Sequence, residues 1–336
     1  MDKKKILERL QTPKAVRWFW IILCAPVALI LLLLLLTRLG AFGKLPTFEE
    51  LENPKSNLAT EIYSDDGEMI GSFFIQNRSY VDYNELSPAL VAALISTEDM
   101  RFYSHSGIDF ISLARVAVKT LALGNRRQGG GSTITQQLAK NLYPRDTAVY
   151  NNPISKGSKL VISKLKEWIT AVMLEYNYTK EEIITMYLNT VPYGSNAYGI
   201  KSAARTFFNK LPSELNVQEA AMLVGVVNAP TRYSPRSNPD RALARRNTVI
   251  SRMREKGYLT RAQRDSIQAL PIELDFRPIS HNAGTGTYFR EMLRMVMTSG
   301  KPSRESFGPG AAGDWDYRQA VEQWESNPLY SWCDKN

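Results

Sequence analysis

Nineteen consecutive apolar residues, Trp18–Leu36, constrain this chain more than any other feature, and they end in six leucines at Leu31–Leu36. A helix of that length rises about 28 Å, close to the ~30 Å hydrocarbon core of a bilayer. Lys3, Lys4, Lys5, Arg9, Lys14 and Arg17 precede the run. The positive-inside rule therefore keeps residues 1–17 in the cytoplasm and exports the chain beyond Arg38. The competing reading is a cleavable leader, whose apolar region is usually shorter and whose cleavage site is small-x-small; Leu39-Gly40-Ala41 fits that pattern only loosely. The expectation is an uncleaved anchor over 18–36.

The net charge of +9 points first toward nucleic acid, but its position points elsewhere. Residues 1–44 carry +6 of it, which leaves about +3 for the remaining chain. That is too little for a nucleic-acid-coating surface, so no nucleic-acid partner is expected. Cys24 lies inside the apolar run and Cys333 near the end, a pairing that excludes an intramolecular disulfide and a cysteine-based zinc site.

Beyond a polar connection over 37–58, residues 59–83 alternate around Asp66-Gly67, the signature of a small hairpin. Ser87-Pro88 then reads as an N-cap with proline at the first helical position, and Thr179-x-x-Glu182 as a capping box. Helical periodicity dominates to about residue 270. The expected fold class is mainly α, with the hairpin and one N-terminal transmembrane helix added to it.

Three clusters carry chemistry. Glu98-Asp99 closes a helix bearing Val91, Leu94 and Ile95, and a loop with Phe102 and His105 comes next. Carboxylates at a helix C-terminus oppose the macrodipole, so local structure alone gives no reason for them; a solvated turn is the plain alternative. In the second cluster Gly129-Gly130-Gly131 precedes a helix that Ser132 would cap. Backbone N–H groups at such an end suit a phosphate. Thr133, Gln136, Gln137 and Lys140 follow i, i+3, i+4, i+7 spacing, which puts amides, a hydroxyl and an ammonium on one face. The Gly-Lys-Ser/Thr ending of a P-loop is missing. The third cluster aligns Lys164, Glu167 and Ala171, a pairing that elsewhere is often only a surface ion pair. Ser163-x-x-Lys166 matches an acyl-transfer pattern whose Ser-x-Asn and Lys-Thr-Gly partners are missing, and is read as chance.

With Lys180–Asn189 running on to Tyr193-Gly194 and Gly199-Ile200, and Ala220–Pro235 containing Asn228-Ala-Pro230, these segments resemble the five ordered motifs of the peptidoglycan glycosyltransferases. These are the lysozyme-like domains of class A penicillin-binding proteins and of monofunctional transglycosylases. Two departures stand out: Ser163 occupies a place where the family commonly has Arg, and 143–163 is long, with Arg145 a candidate for the arginine expected there. The resemblance implies a glycosyltransferase domain over 59–275. A linker-like segment would occupy 276–336, with no transpeptidase domain.

The resemblance also implies inverting polymerisation of lipid II into a nascent glycan strand at the bacterial inner membrane, with cross-linking left to a separate transpeptidase. Glu98 and Glu167 would be the catalytic carboxylates, Glu98 as base. Glu167 would organise the leaving diphosphate, directly or through a divalent metal (Mg or Mn). Asp99, Phe102, His105, Arg115, Ser132, Thr133, Gln136, Gln137, Lys140, Asn141, Lys164, Asn189 and Tyr193 would bind substrate. Two carboxylates flanking a sugar also describe a glycan hydrolase, and a non-catalytic wall-synthesis scaffold is a third reading. The basic, glycine-flanked face separates synthesis from hydrolysis, because a hydrolase of polymeric glycan has no diphosphate to bind.

The apolar residues between Ile108 and Gly130 suggest a segment that dips into the outer leaflet, with a core helix as the alternative. Replacing Leu121 and Leu123 by Ser should then weaken vesicle binding of the anchorless domain, read by cosedimentation; unchanged binding would remove the leaflet role.

Overall fold

The computed structural model describes residues 13–43, 45–47, 60–67, 69–73, 77–78, 80–123, 131–143, 153–278 and 286–329. The glycines Gly129 and Gly130, the basic pair Arg126-Arg127, Arg145 and Cys333 lie outside these residues, as do the side chains of Leu121 and Leu123. The chain is mainly helical and divides into two compact units, one formed by residues 1–58 and 76–278, the other by 59–75 and 279–336.

The first unit begins with helix α1, Pro13–Arg38. Its 26 residues correspond to about 39 Å. Trp18, Phe19, Trp20, Ile22 and Leu31 are exposed along it. No helix assembled from the described residues is long and apolar enough to cross a membrane. Leu23, Pro26 and Val27, within the apolar run, have side chains outside that set.

The globular part continues in order: α2 (Pro88–Glu98), α3 (Phe110–Leu123), α4 (Ile134–Leu142), α5 (Pro153–Asn177), α6 (Lys180–Thr190), α7 (Ile200–Phe208), α8 (Val217–Val227), α9 (Pro239–Glu255) and α10 (Arg261–Ala269). Local chemistry accounts for the helix starts. Ser87 Oγ accepts from Leu90 N at 3.2 Å with Pro88 at the first helical position, and Thr179 with Glu182 forms the expected capping box.

Helix α8 is apolar on nearly every side and is buried from Glu219 to Val226, as a helix at the centre of a core should be. It packs on α2 and α9. A Cβ on Gly225 would lie 3.1 Å from Arg245 Cγ, so the glycine is what lets α9 come this close. α6 packs on α4, and α4 on α5. A small sheet in the order β3-β5-β4 joins Asn77–Arg78 (β3), Pro192–Gly194 (β4) and Ala197–Tyr198 (β5). β3 runs parallel to β5, with Asn77 opposite Ala197.

The second unit holds the hairpin β1 (Thr60–Tyr63) and β2 (Met69–Phe73), antiparallel as predicted from Asp66-Gly67, together with α11 (Thr287–Met297) and α12 (Gly310–Ser326). The alternation read over 59–83 is thus divided. Only 60–73 forms the hairpin, because Asn77-Arg78 finds its ladder partner in β5 of the first unit.

Asp109 caps α3. Its Oδ1 accepts from Ser112 N at 2.9 Å, and its carboxylate also binds Ser112 Oγ and the Arg101 guanidinium. Burial works to raise this carboxyl's pKa, but the bonds from Arg101 and Ser112 outweigh it and hold it well below the usual range. A depressed native pKa stabilises fully above the unfolded value of about 3.9 and loses that stabilisation as pH falls toward the native one. The thermal midpoint of the wild type should therefore fall more steeply below about pH 4 than that of Asp109→Asn, which starts lower and stays flatter. Parallel melting curves would show that Asp109 contributes no acid-labile stability.

Candidate active site

Helices α2, α4, α5, α6 and α9 converge on a cleft of about 960 Å³. Glu98 reaches it from the last residue of α2 and Glu167 from α5. Ser132, Gln136, Gln137, Lys140, Asn141 and Lys164 line it as well, so the second and third sequence clusters meet at one place.

Each carboxylate is held by specific donors. Gln137 Nε2 donates to Glu98 Oε2 at 2.8 Å, while an Arg245 guanidinium nitrogen lies 3.8 Å from Oε1. Lys164 Nζ lies 2.9 Å from Glu167 Oε2 and 3.0 Å from Ser132 Oγ, so one ammonium ties α5 to the residue ahead of α4. Burial pulls the Arg245 guanidinium below its ordinary pKa, and the Glu98 charge partly restores it.

The start of α4 differs from the sequence expectation. Thr133, not Ser132, is the N-cap: its Oγ1 accepts from Gln136 N at 3.1 Å and donates to the Gly107 carbonyl at 2.7 Å. Ser132 stands one residue too early to reach that amide, and its hydroxyl accepts from Lys164 instead. The helix end is also less open to phosphate than the three glycines suggest. Ile134 N donates to Asp99 Oδ2 at 3.2 Å, so the anion at this positive end is the protein's own. Asp99, unfavourable at the C-terminus of α2, is thereby favourable at the N-terminus of α4. Among the described residues the cations lining the cleft are the side chains of Lys140, Lys164, Arg245 and Arg252.

His105 Nε2 lies 3.0 Å from Asp99 Oδ2, and the Phe102 ring is fully buried with Lys180 Nζ 4.3 Å above it. Lys180 also pairs with Glu175 at 2.6 Å and donates to the His105 carbonyl at 2.7 Å. This knot holds the loop after Glu98. Gly107 completes it at φ +89°, where a Cβ would lie 2.9 Å from the backbone of Ala171. Asn189 is buried and bridges Val81 N and O; Tyr193 is fully buried, and burial raises its phenol well above the ordinary value. Arg115 is exposed on α3 and donates to Ser112 Oγ at 3.0 Å. Asp99, Phe102, His105, Arg115, Thr133, Asn189 and Tyr193 are thus not among the residues lining the cleft.

Several lining residues had no role in the sequence reading: Thr97, Tyr187, Asn228, Arg245 and Arg252. Arg252 Nη1 donates to the Thr97 carbonyl at 2.5 Å and so reaches the end of α2 from α9. The available signal was the seven-residue spacing of Arg245 and Arg252, which puts both on one face of a helix opened by Pro239.

Among the described residues no three His, Cys, Asp or Glu side chains cluster as metal ligands. Glu167, the candidate ligand, has the Lys164 ammonium against Oε2.

Two carboxylates on different helices, Glu98 and Glu167, thus share one cleft with Lys140, Lys164, Arg245 and Arg252. The chain belongs to the transglycosylase family, whose model matches residues 66–254. It is 35% identical over 254 residues to penicillin-binding protein 1A of Escherichia coli strain K12, covering 76% of this chain and 28% of that protein. It is 36% identical over 239 residues to penicillin-binding protein 1A of Aquifex aeolicus, covering 71% and 31% respectively. A crystal structure of penicillin-binding protein 1A from Haemophilus influenzae matches with 23% identity and a TM-score of 0.37, covering 73% of this chain and 24% of that one. The chain thus spans less than a third of these relatives' length.

Proposed function

We propose that this chain polymerises lipid II into glycan strands, releasing undecaprenyl diphosphate with inversion at the anomeric carbon. The observation that carries the reading is the cleft itself: Glu98 stands near Arg245 in the same space that Lys140, Lys164 and Arg252 line. Membership of the transglycosylase family supports it.

In the reaction, the acceptor's 4-hydroxyl oxygen bonds to the anomeric carbon of the growing strand and gives its proton to Glu98. The bond from that carbon to the diphosphate oxygen breaks, and its electron pair leaves with the lipid diphosphate. Lys164, Lys140 and Arg252 are the cations available to that departing charge, with Ser132 adding a neutral hydroxyl. Glu167 holds Lys164 in place, which keeps the ammonium directed at Ser132. The lysozyme-like character of the fold belongs to the same reading.

The membrane anchor over 18–36, with the N-terminus inside and the catalytic domain outside the inner membrane, completes the proposal. It rests on the nineteen-residue apolar run behind a basic tail and on the unbroken helix through it. Phe110, Ile111 and Val118 are exposed on α3, which supports contact of that helix with the outer leaflet. The deciding assay incubates detergent-solubilised full-length protein with lipid II and, separately, with purified glycan strands. Polymer from lipid II is the expected result. Soluble fragments from the strands would replace the reading with hydrolysis, and inertness toward both would favour the scaffold.

A further inference from the structure

We propose that Tyr187 is a positioning residue for this reaction, acting on Glu98 through the side-chain amide of Gln137. The inference rests on the reading of Glu98 as the base. Gln137 Nε2 donates to Glu98 Oε2 at 2.8 Å, and Tyr187 Oη donates to Gln137 Oε1 at 2.9 Å.

The direction of each bond is set by the groups themselves. A carboxylate can only accept, so Gln137 turns its NH₂ toward Glu98. Its carbonyl oxygen then faces α6, and the phenol there must donate. Tyr187 suits a permanent donor: its side chain is fully buried, and burial together with the Glu98 charge pushes its ionisation far above the ordinary value.

Without that hydroxyl nothing in the pair distinguishes the two amide orientations except Glu98. A flipped amide would turn Oε1 toward the carboxylate, oxygen against oxygen. Glu98 thus sets the amide's orientation, and the phenol, donating to Oε1, holds that amide against the carboxylate. Arg245, at 3.8 Å from the other carboxylate oxygen, sets the opposite side. Three helices, α4, α6 and α9, thus orient one carboxylate on the last residue of α2.

Tyr187→Phe removes only the hydroxyl from a buried ring. In detergent-solubilised full-length protein, kcat for lipid II polymerisation should fall about tenfold with KM within about twofold, because orientation is lost and binding is not. A purely packing role would lower the thermal midpoint and leave kcat per folded enzyme unchanged; that result would overturn the proposal. A second variant tests the route. In a Gln137→Leu background, Tyr187→Phe should cost nothing further, whereas another tenfold loss would show that Tyr187 acts without Gln137 and would also overturn it. An inactive wild type, or a Glu98→Gln variant as active as wild type, would overturn the functional reading and this inference with it. Full activity in Tyr187→Phe beside an inactive Glu98→Gln would overturn the relay alone.

Discussion

Glu98→Gln should lower lipid II polymerisation by about 10²- to 10⁴-fold, the range a positioned general base contributes. The amide has nearly the volume of the carboxylate, so the cleft keeps its shape. It cannot take the acceptor's proton. The substitution also leaves Arg245 facing a neutral group, and a thermal-midpoint measurement beside the assay separates that cost from the chemical one. KM for lipid II should change little, because the donors proposed for the diphosphate lie on α5, α9, the far end of α4 and at Ser132, none of them on α2. Activity equal to wild type would take the base role from Glu98 and leave the cleft without an assigned one.

Lys164→Met should be the second severe substitution. Lys164 bonds Ser132 at 3.0 Å and Glu167 at 2.9 Å, so its loss removes a cation from the cleft and the tie between α5 and the start of α4. If its charge stabilises the departing diphosphate, polymerisation should fall about 10²- to 10³-fold, in line with the loss of one preorganised electrostatic donor. Lys164→Arg keeps the charge and should recover much of the rate, although the planar fork does not reproduce the ammonium's two bonds. A Met variant as slow as the Arg variant would show that geometry around Ser132 and Glu167, not charge, is what the reaction needs.

The helix starts at Ser87 and Thr179 were legible from a few neighbouring residues, because a cap reaches only three positions along the chain. Thr133 shows the limit of that kind of reading. Ser132 and Thr133 are both good caps, and which one serves depends on where Lys164 and Gly107 stand. The face expected from Thr133, Gln136, Gln137 and Lys140 was legible in part. The last three line the cleft, while Thr133 turns inward to the Gly107 carbonyl. Arg245 and Arg252 escaped notice because a basic helix reads as solvated surface until its neighbours are known.

What the sequence determined by itself was local: the apolar run, the hairpin turn at Asp66-Gly67, the helix caps, and the order of motifs that places the chain in its family. The active-site electrostatics were decided by the tertiary structure alone. Gln137 reaches Glu98 across 39 positions, Asp99 receives Ile134 N across 35, and Arg252 reaches Thr97 across 155. Backbone preferences extend over one helical turn, whereas charges and hydrogen bonds act between whatever groups the packing of α2, α4 and α9 brings within a few ångströms.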